Sequence, residues 1–158
     1  MFINIKGLLV DVDEEDVAFV QSHTWYIEQQ DARTGGLYYF VTNMYVGDRR
    51  VKQKMHRLLA GCTSGDGNVV DHKDGNTLNN KKDNLRICTS RENSRNAKTP
   101  KTNTSGRKGV SFRNNKYVAN IKIDGKTRYI GVYDDIEDAY AAYCAMAIEY
   151  FGDFARLN

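Results

Sequence analysis

Turn formers set the limits on how this chain folds. Gly35-Gly36, Lys73-Asp74-Gly75-Asn76, Asn114-Asn115 and Asp124-Gly125 interrupt the sequence with residues suited to the tight or left-handed backbone that most side chains avoid. The runs between them are short and rich in aromatic and β-branched residues, as in Leu37 to Val46 and Thr127 to Tyr133, which is strand composition. Asp124-Gly125, lying between two such runs, is the strongest hairpin signal. Helical spacing is sustained near the end, where Ile136, Ala139, Tyr140, Tyr143, Ala147 and Tyr150 recur before Gly152.

Shorter helices are expected at three places. Asp13 is positioned to cap Glu14 to Gln21, and Met55 to Ala60 ends at Gly61. Thr89 and Glu92 have capping-box spacing, a hydroxyl followed three residues later by a carboxylate, which starts a helix from about Ser90 to Asn96. The fold class is α+β. The divisions read from the sequence are an N-terminal β-rich module at 1–54, a β-loop-β-α unit at 55–97, a linker at 98–106 and a three-stranded sheet packed on one helix at 107–158.

Charge is strongly segregated. The 158 residues carry 23 Lys+Arg against 20 Asp+Glu, a net charge of +3. Residues 1–47 hold two basic and seven acidic side chains, whereas residues 48–113 hold sixteen basic and six acidic. A basic stripe of this kind suits a protein that follows a phosphate backbone, although solvated surfaces also carry basic runs. Arg86, Arg91 and Arg95 belong to it as candidate DNA contacts. No apolar run is long enough for a bilayer and the acidic start is unlike a cleaved signal, so neither membrane nor secretion is expected. Cys62, Cys88 and Cys144 lack CxxC spacing and read as reduced thiols of a cytoplasmic protein, with a Cys62–Cys88 pair as the alternative. The acidic run Asp11 to Asp16 has Asp16 where a calcium loop needs glycine.

Chemistry is concentrated around Asp71-His72. Adjacent residues on a strand leave on opposite sides, so one can bind metal while the other handles water. Asn84 follows twelve residues after His72 and Asn93 nine further on, and the topology brings all four to one cleft. The Asp71 carboxylate and the Asn93 amide oxygen are hard ligands for one divalent cation that keeps several waters.

Val70-Asp71-His72-Lys73-Asp74-Gly75-Asn76, Asp83-Asn84-Leu85-Arg86 and Glu92-Asn93 together resemble the HNH family of homing endonucleases, over about residues 55–96. The resemblance implies a ββα-metal unit with His72 as general base, Asn84 steadying the loop, and Asp71 and Asn93 holding one ion. Asn93 stands where many members have histidine; this HNN variant, found in phage-type members, favours Mg2+ or Mn2+ over a transition metal. His56, in Met55-His56-Arg57-Leu58, lies in a segment that often precedes the site in that family, but a histidine on a helix face is more often structural, and that is the reading its sequence context favours.

A second resemblance covers about residues 105–158. Gly106-Arg107-Lys108-Gly109-Val110, Lys116-Tyr117-Val118-Ala119, Tyr129-Ile130-Gly131-Val132-Tyr133-Asp134 and Ala139-Tyr140-Ala141-Ala142-Tyr143 resemble an AP2 DNA-binding domain, in which the sheet enters the major groove. It implies Lys108, Arg113, Lys116, Asn120, Lys122 and Tyr129 as DNA contacts. Here Asn120 replaces an acidic residue. The two resemblances imply a phage-type enzyme in host cytoplasm that cuts double-stranded DNA, one strand per site, and imply no protein partner. The rival expectation is a DNA-binding regulator of AP2 type without catalysis; an RNA-binding module is disfavoured for want of single-strand stacking motifs.

Overall fold

The computed structural model describes residues 1–30, 36–63, 65–95, 99 and 103–157. It is a mixed fold of several small antiparallel sheets and few helices, divided into two compact units, Met1–Asn93 and Ser94–Asn158. Among the described residues no helix is long and apolar enough to cross a membrane. The three cysteines are free thiols.

In the first unit, β1 (Phe2–Ile5) pairs with β2 (Leu8–Asp11), followed by a 3-10 turn at Glu14–Asp16 and α1 (Val17–Gln21). Asp13 does not cap this segment. Its side chain instead accepts the Lys82 amide at 2.8 Å, because a long-range backbone donor is within reach of the carboxylate. β3 (Tyr26–Gln30), β4 (Leu37–Val46) and β5 (Arg49–Lys54) form a meander with β4 central. The Gly35-Gly36 turn expected between β3 and β4 falls partly outside the described residues. β5 runs into α2 (Met55–Leu59), which ends at Gly61 with φ of 72°. β6 (Val69–His72) then pairs with β7 (Leu85–Cys88), and α3 (Ser90–Arg95) follows.

One core joins the β-rich segment to the β6-loop-β7 unit. Ile5, Val10, Val12, Val20, Trp25 and Phe40 pack with Met55, Leu59, Val70 and Leu85. Trp25 is held by a 2.7 Å hydrogen bond from its indole N–H to the Val20 carbonyl. Polar contacts reinforce the union: the Asp11 amide donates to the Leu78 carbonyl and the Asn80 amide to the Asp11 carbonyl, at 2.8 and 2.7 Å. Lys82 pairs with Glu15 and Asp16, and Lys81 with Asp11. The acidic start thus offsets the basic loop between β6 and β7.

In the second unit, β8 (Val110–Arg113), β9 (Lys116–Ile123) and β10 (Lys126–Tyr133) form a sheet in the order β10-β9-β8. α4 (Ile136–Phe151) covers it, capped by Asp135, whose side chain accepts the Glu137 amide at 2.7 Å. Ile121, Ile123, Tyr143 and Ala147 form one cluster of the interior, and Val110, Ala119 and Ala139 another. Gly109 sits at φ of 75° where a Cβ would come 2.0 Å from the Tyr143 ring, so helix and sheet approach as closely as they do only with glycine there. Of the expected linker 98–106, residues 98, 100, 101 and 102 lie outside the described residues; Asn103 caps the turn that follows, its side chain accepting the Ser105 and Gly106 amides.

Candidate active site

The site is built at the end of β6. Antiparallel pairing puts Asp71 opposite Arg86 and His72 opposite Leu85, so alternation sends the carboxylate and the imidazole to opposite faces. Both side chains are buried. The Arg86 guanidinium donates to Asp71 Oδ2 through Nε at 3.1 Å and Nη2 at 2.8 Å. On the other face His72 Nε2 lies 3.3 Å from Asn80 Oδ1. The Asn80 amide nitrogen donates to the Thr77 carbonyl at 3.1 Å, which turns its oxygen toward the imidazole.

The loop between His72 and Asn84 is closed by polar contacts. Asn84 is buried; its amide nitrogen donates to Asp74 Oδ1 at 3.0 Å and to the Asn79 carbonyl at 2.8 Å, while its oxygen accepts the Asp74 amide at 3.1 Å. Backbone bonds from Lys73 to the Asn84 carbonyl and from Gly75 to the His72 carbonyl, both 2.9 Å, complete the closure. Burial raises the Asp74 carboxyl, but donors from Asn76, Asn79 and Asn84 outweigh it and hold the group below its ordinary range.

Two residues from outside this loop complete the surroundings of His72. The His56 ring of α2 is 5.0 Å from the His72 ring, and the Tyr39 ring of β4 is 5.4 Å from His56 and 6.5 Å from His72. Lys54 lies over the Tyr39 ring at 4.3 Å. Burial, with the charges of His72, Lys54 and Arg57, depresses His56 to about 3. Burial also lowers His72, opposed by its bond to Asn80 and by the charges of Asp74 and Asp71. Burial thus favours the neutral form of both imidazoles. Tyr39 is raised, by burial first and then by the Asp71 charge.

Asn93 is exposed on α3, whose start is a reciprocal capping box: the Thr89 amide donates to Glu92 Oε2 at 2.8 Å and the Glu92 amide to Thr89 Oγ1 at 3.2 Å. The Cys88 thiol is raised by burial and by the Asp71 charge, and it receives the Asn93 backbone N–H. Both Asp71 and the Asn93 backbone thus act on the Cys88 thiol. A carboxylate and an amide oxygen are hard donors, and among the described residues no group of three or more His, Cys, Asp or Glu is arranged around a metal position. Such donors suit a hard divalent ion that keeps part of its water shell.

The remaining sequence candidates fall into different settings. Arg86 is committed to Asp71. Arg91 is exposed on α3, whereas Arg95 lies 3.9 Å from Asp124 and 4.7 Å over the Phe151 ring. Register and alternation put Arg113, Lys116, Asn120, Lys122 and Tyr129 on the outward face of the β8-β9-β10 sheet. Lys116 pairs there with Asp134. Lys108 is not on that face: it is half-buried, donates to the Arg95 carbonyl at 2.7 Å, and is pushed down to about 8 by burial and the Arg156 charge. Sequence reasoning missed Tyr39 and Asn80. Tyr39 had only strand alternation to mark it, and Asn80 reads as one turn former among several.

Comparison with known proteins points to one family. The HNH endonuclease family profile matches residues 54–95. An uncharacterized HNH endonuclease of Acanthamoeba polyphaga mimivirus is 30% identical over 154 residues, covering 97% of this chain and 76% of the relative. The chain belongs to the HNH endonuclease family. It is accordingly a DNA-cleaving enzyme. Protein 3.8 of Escherichia phage T7 is also similar, 40% identical over 94 residues, or 58% of this chain and 77% of that protein. No solved structure matches. Within this HNH endonuclease the matched span begins at Lys54 and ends at Arg95, so it takes in α2, β6, β7 and α3 but not Tyr39.

Proposed function

We propose that this HNH endonuclease hydrolyses DNA phosphodiester bonds one strand at a time, with His72 as general base and Asp71 and Asn93 as the protein ligands of one divalent ion. The observation that carries the reading is the setting of His72: a buried imidazole at the end of β6, oriented by Asn80, with burial lowering its pKa. With the Asn80 oxygen turned toward it, His72 donates through Nε2, and Nδ1 is the nitrogen that accepts a proton from the attacking water. A base is useful when it is unprotonated at working pH. Asn84 is a positioning residue that holds the loop carrying His72. An ion, Mg2+ or Mn2+, on Asp71 and Asn93 would supply positive charge to the phosphoryl group and the departing 3′-oxygen.

The outward face of the β8-β9-β10 sheet is proposed to bind duplex DNA in the manner of an AP2 domain. Arg113, Lys116, Asn120, Lys122 and Tyr129 share that face, and Tyr129 is 65% exposed. An exposed tyrosine among cations suits a nucleic-acid surface better than a solvated one. Lys108 is left out of this set, since its ammonium serves the Arg95 carbonyl.

Incubation with supercoiled plasmid tests the reading. Nicked circles are expected with Mg2+ or Mn2+ and none with chelator. His72→Ala is expected to slow cutting by about 10²- to 10⁴-fold while DNA binding is retained. Binding without cutting by the native chain would favour the regulator instead, and linear product formed without a nicked precursor would overturn cutting one strand at a time.

A further inference from the structure

The β3-β4-β5 meander turns one face into the core, while the opposite face is covered at Val41 and opens toward the hairpin tip. Phe40, Thr42 and Gln53 are buried on the inner face, at 1%, 4% and 2% exposure. Register pairs Tyr45 with Arg50, Asn43 with Lys52 and Val41 with Lys54, so these pairs share the opposite face together with Tyr39. Toward the hairpin tip that face is open: Asn43, Tyr45, Arg50 and Lys52 are exposed, Tyr45 at 75%. Toward the other end it reaches the candidate active site, because Lys54 lies over Tyr39 and the Tyr39 ring borders His56 and His72.

Charge on this face is mostly positive: Arg50, Lys52 and Lys54 lie on it, with the exposed Asp48 in the turn at its tip. The acidic residue within the three strands is Glu28, 3.4 Å from Lys52 in an exposed pair, and such pairs are weak and readily exchanged. Arg50, Lys52 and Lys54 are alternate residues of β5, which spreads three cations over about 14 Å. A DNA strand carries about four phosphates over that distance. An exposed tyrosine at the tip adds an aromatic body with a polar end, suited to a sugar edge or groove wall.

We infer that this face of the β4–β5 ribbon is a second DNA-contacting surface, which holds the duplex beside the phosphate being cut and leads it to His72. The inference rests on the proposed function and adds to it a surface outside the span matched by the HNH endonuclease profile. Its occupant is duplex DNA: the face has the opposite charge, a spacing that suits phosphates, and continuity with the catalytic imidazole. Arg50 and Lys52 act by binding, not in the chemical step.

The experiment compares the full-length chain with Arg50→Ala/Lys52→Ala, both in a His72→Ala background so that DNA is not consumed. Binding of a labelled duplex of arbitrary sequence, about 30 base pairs long, is followed by anisotropy over a range of KCl. Loss of two phosphate contacts is expected to lower the slope of log affinity against log salt by about 1.8, with affinity falling roughly tenfold at moderate salt. Arg50→Glu should weaken binding more than Arg50→Ala, and Tyr45→Ala should weaken it with the slope unchanged. Urea unfolding midpoints equal to the parent's show that the fold is intact. An unchanged slope and affinity in the folded double variant overturns the inference, as does a loss confined to a single-stranded RNA probe. Plasmid cutting by the native chain reads the proposed function separately: if it fails while the salt slope still drops, the surface stands and the chemistry does not.

Discussion

Replacing Asn84 by alanine should unlatch the loop that carries the general base. Three hydrogen bonds are lost, at 3.0 Å to Asp74 Oδ1, 2.8 Å to the Asn79 carbonyl and 3.1 Å from the Asp74 amide. The two between neutral groups contribute about 1 kcal/mol each, and the one to the carboxylate about 1.5–3 kcal/mol before water re-solvates the exposed Asp74. A loss of about 3 kcal/mol is therefore expected, read as a shift of the urea unfolding curve with its slope unchanged. Asn84→Asp sets a carboxylate against Asp74, so it should lose more than alanine at neutral pH and recover as the pH is lowered through the carboxylate range. A double-mutant cycle with Asp74→Ala should return a coupling of about 1–2 kcal/mol. Stability within about 0.5 kcal/mol of native for Asn84→Ala, or coupling near zero, refutes the latch. Cutting should also fall, because the latch and His72 share one loop.

Three further outcomes are expected. His56 titrates near 6.5 in the unfolded chain but only at about 3 when folded, so as pH falls the unfolded state takes up its proton first. Stability is full above pH 6.5 and is lost between there and about 3, at up to about 1.4 kcal/mol per pH unit. His72, also lowered, acts in the same direction, and His56→Phe should make urea midpoints less sensitive to acid. Arg86→Gln removes the guanidinium from Asp71, so titration with Mn2+ should show affinity tightened about tenfold, since a cation no longer competes for the carboxylate; unchanged or weaker affinity would count against Asp71 as a ligand. Gly109→Ala brings a Cβ against the Tyr143 ring at φ of 75°, and thermal unfolding of the second unit should fall by about 2–4 kcal/mol of stability.

Local physics made much of this protein legible. Strand composition and Asp-Gly chemistry placed the β9–β10 hairpin, apolar spacing placed α4, and the Thr89-Glu92 box placed the start of α3, because each depends on residues a few positions apart. The opposite directions of Asp71 and His72 likewise follow from alternation along a single strand. The surroundings of those two residues depend on packing between distant segments. Tyr39 reaches His72 from 33 positions earlier in the chain, and the acidic start of the chain clamps the loop through Asp11, Asp13, Glu15 and Asp16. No periodicity encodes such contacts. Lys108 and Arg113 look alike as cations in the sequence, yet one is half-buried against the Arg95 carbonyl and the other lies on the open sheet face. Tertiary structure decides between them, since burial and register belong to the assembled fold, whereas turn type, capping and alternation belong to the local chain.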